Sequence, residues 1–127
     1  MNALVRLAMA LCLAMLVVAA AQAAPAARAA REIEQLITAL ATSGCEFQRN
    51  GRWYDAAKAQ AHLRKKYAWL RKRNLVASAE QFIERAGSES SFSGRTYQVR
   101  CPGRPPVTSA AWLRAGLMQL RRTTPSR

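Results

Sequence analysis

The chain has 127 residues, 50% of them hydrophobic and 21% charged, which is enough for one domain at most. Its 20 Lys and Arg face only 7 Asp and Glu, a formal charge of +13. These figures exclude a multidomain machine, a polytopic membrane protein and an acidic disordered tail, and they leave a small basic globular domain.

The chain opens with the three-part layout of a secretory signal peptide. Arg6 supplies the cationic flank, Leu7 to Ala21 is an apolar run without charge, and Ala21-Gln22-Ala23 is a small-x-small triplet followed by Ala24-Pro25. Cleavage is expected after Ala23, because cutting one residue later would place Pro25 just beyond the scissile bond. The run is shorter than the roughly 20 apolar residues of a spanning helix, so no transmembrane helix is expected after processing. Cys12 follows Leu11, where a lipobox wants a small residue, so lipidation is not expected. The organisation read from the sequence is a signal peptide over 1–23, a flexible lead-in over 24–30, one domain over 31–122 and a frayed tail over 123–127.

Within that domain, Ile33, Leu36, Ile37 and Leu40 recur at helical spacing, and Gly44 is a natural stop, so a first helix is expected over Arg31 to Ser43. Glu32 and Glu34 fall in its first turn, on the positive end of its dipole. The period then changes to two. Cys45, Phe47 and Arg49 point one way, Glu46 and Gln48 the other, and Asn50-Gly51 signals a turn. Asp55 is the expected N-cap of a long helix over Ala56 to Lys72, with Ala56, Ala59, Leu63, Tyr67 and Leu70 as its buried stripe. Ser78 to Gln81 fits a capping box for a helix that buries Phe82, Ile83 and Ala86. Ser88 to Gly94 reads as a Ser-rich loop. Tyr97, Val99 and Cys101 alternate as a second strand, Pro102 to Pro106 is a turn-rich connector, and Ser109 is expected to cap a last helix with Trp112, Leu113, Leu117 and Leu120 inside.

The two strands test each other. Paired antiparallel in one register, Cys45 faces Cys101, Phe47 faces Val99 and Arg49 faces Tyr97; a slip of one residue turns each to the wrong face. An even cysteine pair in an exported chain reads as a disulfide, so Cys45 and Cys101 are expected to be bridged. The predicted fold is α+β: about four helices around a short two-stranded antiparallel ribbon, with one disulfide.

Catalytic constellations are thin. His62 is the sole histidine and Asp55 the sole aspartate, and they stand seven apart on one helix, too far for a direct hydrogen bond. With both thiols committed, no zinc set can be assembled, so no metal and no cofactor are expected. His62 borders the Leu63 stripe and reads as a partly buried boundary residue. Glu80 and Glu84, beside Arg85, read as a solvated helix face. The loudest feature is basic: Arg64, Lys65, Lys66, Arg71, Lys72 and Arg73 cluster around Tyr67 and Trp69. Cations with an interleaved aromatic suit anionic lipid headgroups or lipopolysaccharide, and export makes nucleic acid the poorer partner.

The segments CEFQRNG, HLRKKY, SAEQFIERAGSESSFSG, YQVRCPG and SAAWL, in that order, resemble the YfeK-like group, a family of small exported bacterial proteins of unknown function. The likeness spans about Arg31 to Leu120 and is most specific over SAEQFIER and the Ser-rich loop. It implies an exported α+β domain and brings no activity and no site residues with it.

The expected function is therefore that of an exported, periplasmic or secreted, non-enzymatic accessory or interaction protein. Its expected activity is binding anionic envelope components through Arg64, Lys65, Lys66, Trp69, Arg71, Lys72 and Arg73. The rival expectation is a small enzyme or small-ligand-binding protein using a polar site near the Ser-rich loop, made of Glu80, Ser90, Ser91 and Arg100.

Overall fold

The computed structural model describes residues 2–124, with all their side chains except those of residues 11–25. Four helices and four strands follow in the order α1 (Ala3–Ala41), β1 (Glu46–Arg49), β2 (Arg52–Tyr54), α2 (Ala56–Lys72), α3 (Ala79–Ala86), β3 (Gln98–Arg100), β4 (Val107–Thr108) and α4 (Ser109–Thr123). The sheet is antiparallel throughout, in the order β2-β1-β3-β4. The class is α+β, as the sequence indicates, with two more strands than its periodicity shows.

α1 begins well before the expected start. It runs unbroken through 24–30, so the lead-in is helical, an Ala-rich stretch being a good helix former. Ala29 is already in the core, followed by Ile33, Leu36, Ile37 and Leu40. The earlier start moves Glu32 and Glu34 out of the first turn. They act as ion-pair partners instead: Glu32 takes Arg121 of α4 at 2.7 Å and Glu34 takes Arg64 of α2 at 2.9 Å. The helix ends at Ala41, and Gly44 follows with φ of +69°. Within the segment read as a signal peptide, side chains 3–10 are exposed.

The central ladder keeps the register read from the sequence. Glu46 pairs with Arg100, Phe47 with Val99 and Gln48 with Gln98. One step further along, Cys45 and Cys101 are joined by a disulfide, their Cα atoms 4.2 Å apart. Asn50 and Gly51 both have positive φ, +50° and +80°, the signature of the two-residue hairpin turn whose twist matches its strands. This turn folds β2 back on β1, with Arg49 opposite Arg52 and Phe47 opposite Tyr54.

The helix caps follow local chemistry. Asp55 accepts the Lys58 N–H, and Ser78 accepts the Gln81 N–H. Gln81 returns to the Ala77 N–H at 2.8 Å, one residue outside the expected box. For α4 the cap is Thr108, which accepts the Ala111 N–H. Ser109 is instead the first helical residue, fully buried, its Oγ without a hydrogen-bond partner among the described residues. Trp112 and Leu120 are half-buried beside the buried Leu113 and Leu117. Gly87 closes α3 where a Cβ would come within 2.5 Å of Leu113 Cδ1, so the α3–α4 junction accepts no side chain without moving Leu113. Of the predicted frayed tail over 123–127, Thr123 is the last residue of α4 and Thr124 its C-cap, and residues 125–127 lie outside the described residues.

Ile33, Leu36, Ile37, Leu63, Phe82, Ile83, Tyr97, Val99 and Leu113 are each at most 1% exposed and fill the space between helices and sheet. The disulfide spans a sequence separation of 56 residues. Cross-linking a loop of that size stabilises by about 4 kcal/mol in the chain-entropy model. Replacing both cysteines with serine is expected to lower the denaturant midpoint by a corresponding amount, and adding reductant to the unmodified protein to do the same; urea unfolding followed by circular dichroism reads both.

Candidate functional site

The β1–β2 hairpin leans on the first turns of α2, and a cavity of about 240 Å³ lies between them. β1 contributes Phe47 and Arg49, two apart and so on one face of the strand, and Tyr54 comes from the end of β2. α2 contributes Lys58, Ala59, Ala61, His62 and Lys65, spaced along one side of the helix. The lining thus holds the cations Arg49, Lys58 and Lys65 and no carboxylate. Asp55, next to Tyr54 in the chain, is engaged as the α2 cap, and Glu46, next to Phe47, pairs with Arg100.

Behind the cavity lies a hydrogen-bonded chain. Arg49 Nη1 is 2.8 Å from His62 Nδ1, His62 Nε2 is 3.0 Å from Tyr97 Oη, and Lys66 Nζ donates to Tyr97 Oη at 3.3 Å. A guanidinium is always a donor. His62 Nδ1 must therefore accept, the ring is neutral, and its single proton sits on Nε2, where it donates to Tyr97. Protonating Nδ1 would set an N–H against the guanidinium. The surroundings of the ring act in the same direction: burial pulls its pKa down from 6.5 to about 4, and the charges of Arg49, Lys66 and Lys65 add to the effect. Burial also pushes the Tyr97 phenol up, with Glu89 adding and Arg49 opposing, so the hydroxyl stays protonated. Lys66 is pulled down by burial, Glu89 opposing and Arg49 adding. The aromatic rings lock the geometry. Tyr97 packs on Phe47 at 5.4 Å between centroids and meets the edge of His62 at 5.7 Å, while the Arg49 guanidinium lies over Tyr54 at 5.2 Å.

The cavity is smaller than the 300 Å³ or more usual for organic-ligand pockets. Its cations suit a compact anion, while its Tyr54 ring positions Arg49.

Of the seven residues read as one basic surface, Arg64 and Lys66 are engaged by other elements, and Lys65, Trp69, Arg71, Lys72 and Arg73 are exposed. Arg64 is paired with Glu34 across α1. Lys66 turns inward to Tyr97 and to the Glu89 carbonyl, 2.9 Å away. Arg73 lies over the Trp69 ring at 3.9 Å, and Arg71 over Tyr67 at 5.5 Å. Lys72 is exposed, and Lys65 lines the cavity. The four residues of the alternative polar site each engage elsewhere or stand apart. Glu80 binds Arg121 at 2.5 Å, a hydrogen bond that holds its carboxyl below the usual range. Arg100 pairs with Glu46 at 3.0 Å and covers the Trp53 ring at 4.1 Å. Ser90 is buried and accepts the Phe92 and Ser93 N–H groups, and Ser91 is exposed. No hydrogen bond or ion pair joins any two of the four among the described residues. Cys45 and Cys101 form the bridge expected of them. Among the described residues no cluster of three His, Cys, Asp or Glu is placed to hold a metal ion.

Residues 27–121 match the model of a family described as a family of unknown function, DUF5329. The chain belongs to this family. The match agrees with the resemblance on a domain of unknown function and does not carry the YfeK-like name. No curated protein and no solved structure matches the chain.

The His62 shift has a consequence for stability. The unfolded ring takes up its proton near pH 6.5 and the folded ring near 4. Between those values the unfolded state holds more protons, so stability falls as pH drops from about 6.5 to 4 and is independent of this group above that range. Partial exposure screens the effect, to no more than about 2 kcal/mol. His62→Gln is expected to flatten this part of the profile, measured by urea unfolding at successive pH values.

Proposed function

We propose that this chain is an exported, non-enzymatic accessory protein that binds compact anionic groups, such as the phosphates or carboxylates of envelope components, in the pocket between the hairpin and α2. The observation that carries this reading is the lining itself: Arg49, Lys58 and Lys65 all border one small concavity whose lining residues include no carboxylate. Like charges brought together repel, and a bound anion relieves that repulsion. Arg49 keeps N–H donors beyond the one spent on His62, in a fork matched to carboxylate and phosphate oxygens. Of the basic surface read from α2, this proposal retains Lys65 as a ligand and leaves Lys72 to bulk charge.

Phosphate titrated into the protein at constant ionic strength is expected to shift the amide resonances of Tyr54, Lys58, His62 and Lys65 together. Arg49→Gln and Lys65→Gln are each expected to weaken that binding about tenfold, the loss of one charge-assisted contact, while Lys72→Gln leaves it unchanged. Equal weakening by Lys72→Gln would show that only overall charge matters and would overturn the pocket reading.

Export is part of the same proposal. The disulfide is compatible with an oxidising compartment, and no helix among the described residues is long and apolar enough to cross a membrane. Cleavage after Ala23 leaves intact every described α1 side chain that the core uses, since these begin at Ala29. The intact mass of the purified exported protein is expected to correspond to a chain starting at Ala24; a mass that includes Met1 to Ala23 would refute the processing.

A further inference from the structure

The Ser-rich loop holds an aromatic side chain out into solvent on a fixed frame. Phe92 is 102% exposed, the most exposed large apolar side chain among the described residues. The loop beneath it is not loose. Ser90 is buried, and its Oγ accepts the Phe92 and Ser93 N–H groups at 3.2 and 3.3 Å. Ser90 N–H donates to the Arg95 carbonyl, and Gly94 N–H to the Ser90 carbonyl, both at 2.9 Å. Ser93 Oγ joins Asn50 Oδ1 at 2.6 Å, which ties the loop to the tip of the β1–β2 hairpin. The Arg95 guanidinium lies over Gly51 of the same turn, 3.4 Å from where a Cβ would stand. Arg52 follows in the chain, and both arginines are exposed. The loop's carboxylate, Glu89, sits at its base, where its charge acts on Lys66.

A fully exposed phenyl ring on a hydrogen-bonded loop, tied to a turn flanked by two exposed arginines, has the chemistry of a peripheral membrane contact: an apolar wedge for the acyl boundary and cations for lipid phosphates. We propose that this loop-and-turn edge docks the protein on an anionic lipid bilayer, with Phe92 entering the boundary and Arg52 and Arg95 meeting headgroups. The surface is distinct from the α2 face around Trp69, whose ring Arg73 already covers. It does not depend on the pocket's ligand.

The test is co-sedimentation of the mature, disulfide-intact protein with phosphatidylcholine vesicles, with and without phosphatidylglycerol. Binding is expected only when phosphatidylglycerol is present, and is expected to weaken as salt rises. Phe92→Ser is expected to lower the partition coefficient about tenfold or more, in line with the transfer free energy of the ring, and Phe92→Trp to retain it. Because the side chain is fully exposed, both variants are expected to melt as the parent does. Arg52→Gln with Arg95→Gln is expected to remove most of the preference for phosphatidylglycerol, and Trp69→Ser to change nothing. Absence of binding by the parent, undiminished binding by Phe92→Ser, or an equal loss in Trp69→Ser would each overturn the proposal. Phosphate titration of the pocket is read separately, so either reading can fail without the other.

Discussion

The pairing of β1 with β3 is the constraint on which the rest of the structure depends. Each strand is only three or four residues long, and short isolated ribbons are marginal in water. Between them the chain makes a hairpin, two helices and the Ser-rich loop, so bringing them together carries a large loop-closure entropy. Two things offset it in one register: the apolar pair Phe47 and Val99, buried against the helices, and the Cys45–Cys101 bridge at the end of the ladder. With the register fixed, the entry to β3 places Tyr97 beneath α2, and the exit of β1 places Arg49 beside His62. The hairpin tip then meets the Ser-rich loop through Asn50 and Ser93. The pocket and the loop edge thus both follow from a single strand alignment.

The pocket is an electrostatic arrangement held in place by packing. A half-buried histidine between an arginine and two lysines has no favourable route to a positive charge, so it serves as a neutral connector, accepting from Arg49 and donating to Tyr97. That role fixes one side of the guanidinium, which also lies over the Tyr54 ring. Elsewhere the same surplus of cations is handled differently. Arg64, Arg100 and Arg121 find carboxylates, and Arg71, Arg73 and Arg100 lie over aromatic rings. Arg49 likewise lies over Tyr54, but the lining of the pocket offers Arg49, Lys58 and Lys65 no carboxylate, and the proposed anion site rests on that difference.

Much of the fold was legible because local signals were strong. The Asp55 and Ser78 caps, the α2 stripe and the cysteine register each rest on side chains whose preference is local or whose period is clear. β2 and β4 are not legible in the sequence, because three and two residues carry no measurable period. The start of α1 is not marked by periodicity, because an alanine run has helix propensity without amphipathicity. Thr108 displaced Ser109 as the α4 cap because both residues are competent and only the tertiary position of Ser109, its N–H bonded to the Tyr97 carbonyl, distinguishes them. The pocket gave one sign in advance: Arg49 shares a strand face with Cys45 and Phe47, and a cation on a core-facing position needs a reason. That Arg64 and Lys66 are drawn to other elements is not legible in the α2 sequence, because their partners, Glu34, Glu89 and Tyr97, lie far away along the chain.

The central claim is that a neutral His62, held between Arg49 and Tyr97, backs a pocket built for an anion. Nitrogen NMR of the His62 ring, followed through acid titration with and without phosphate, tests it most directly. The account requires the Nε2–H tautomer with a midpoint near pH 4. It also requires an upward displacement of that midpoint when phosphate is present, since an anion bound beside the ring favours its charged form. A ring that titrates near its ordinary value of 6.5, or one whose midpoint ignores phosphate, would contradict the account.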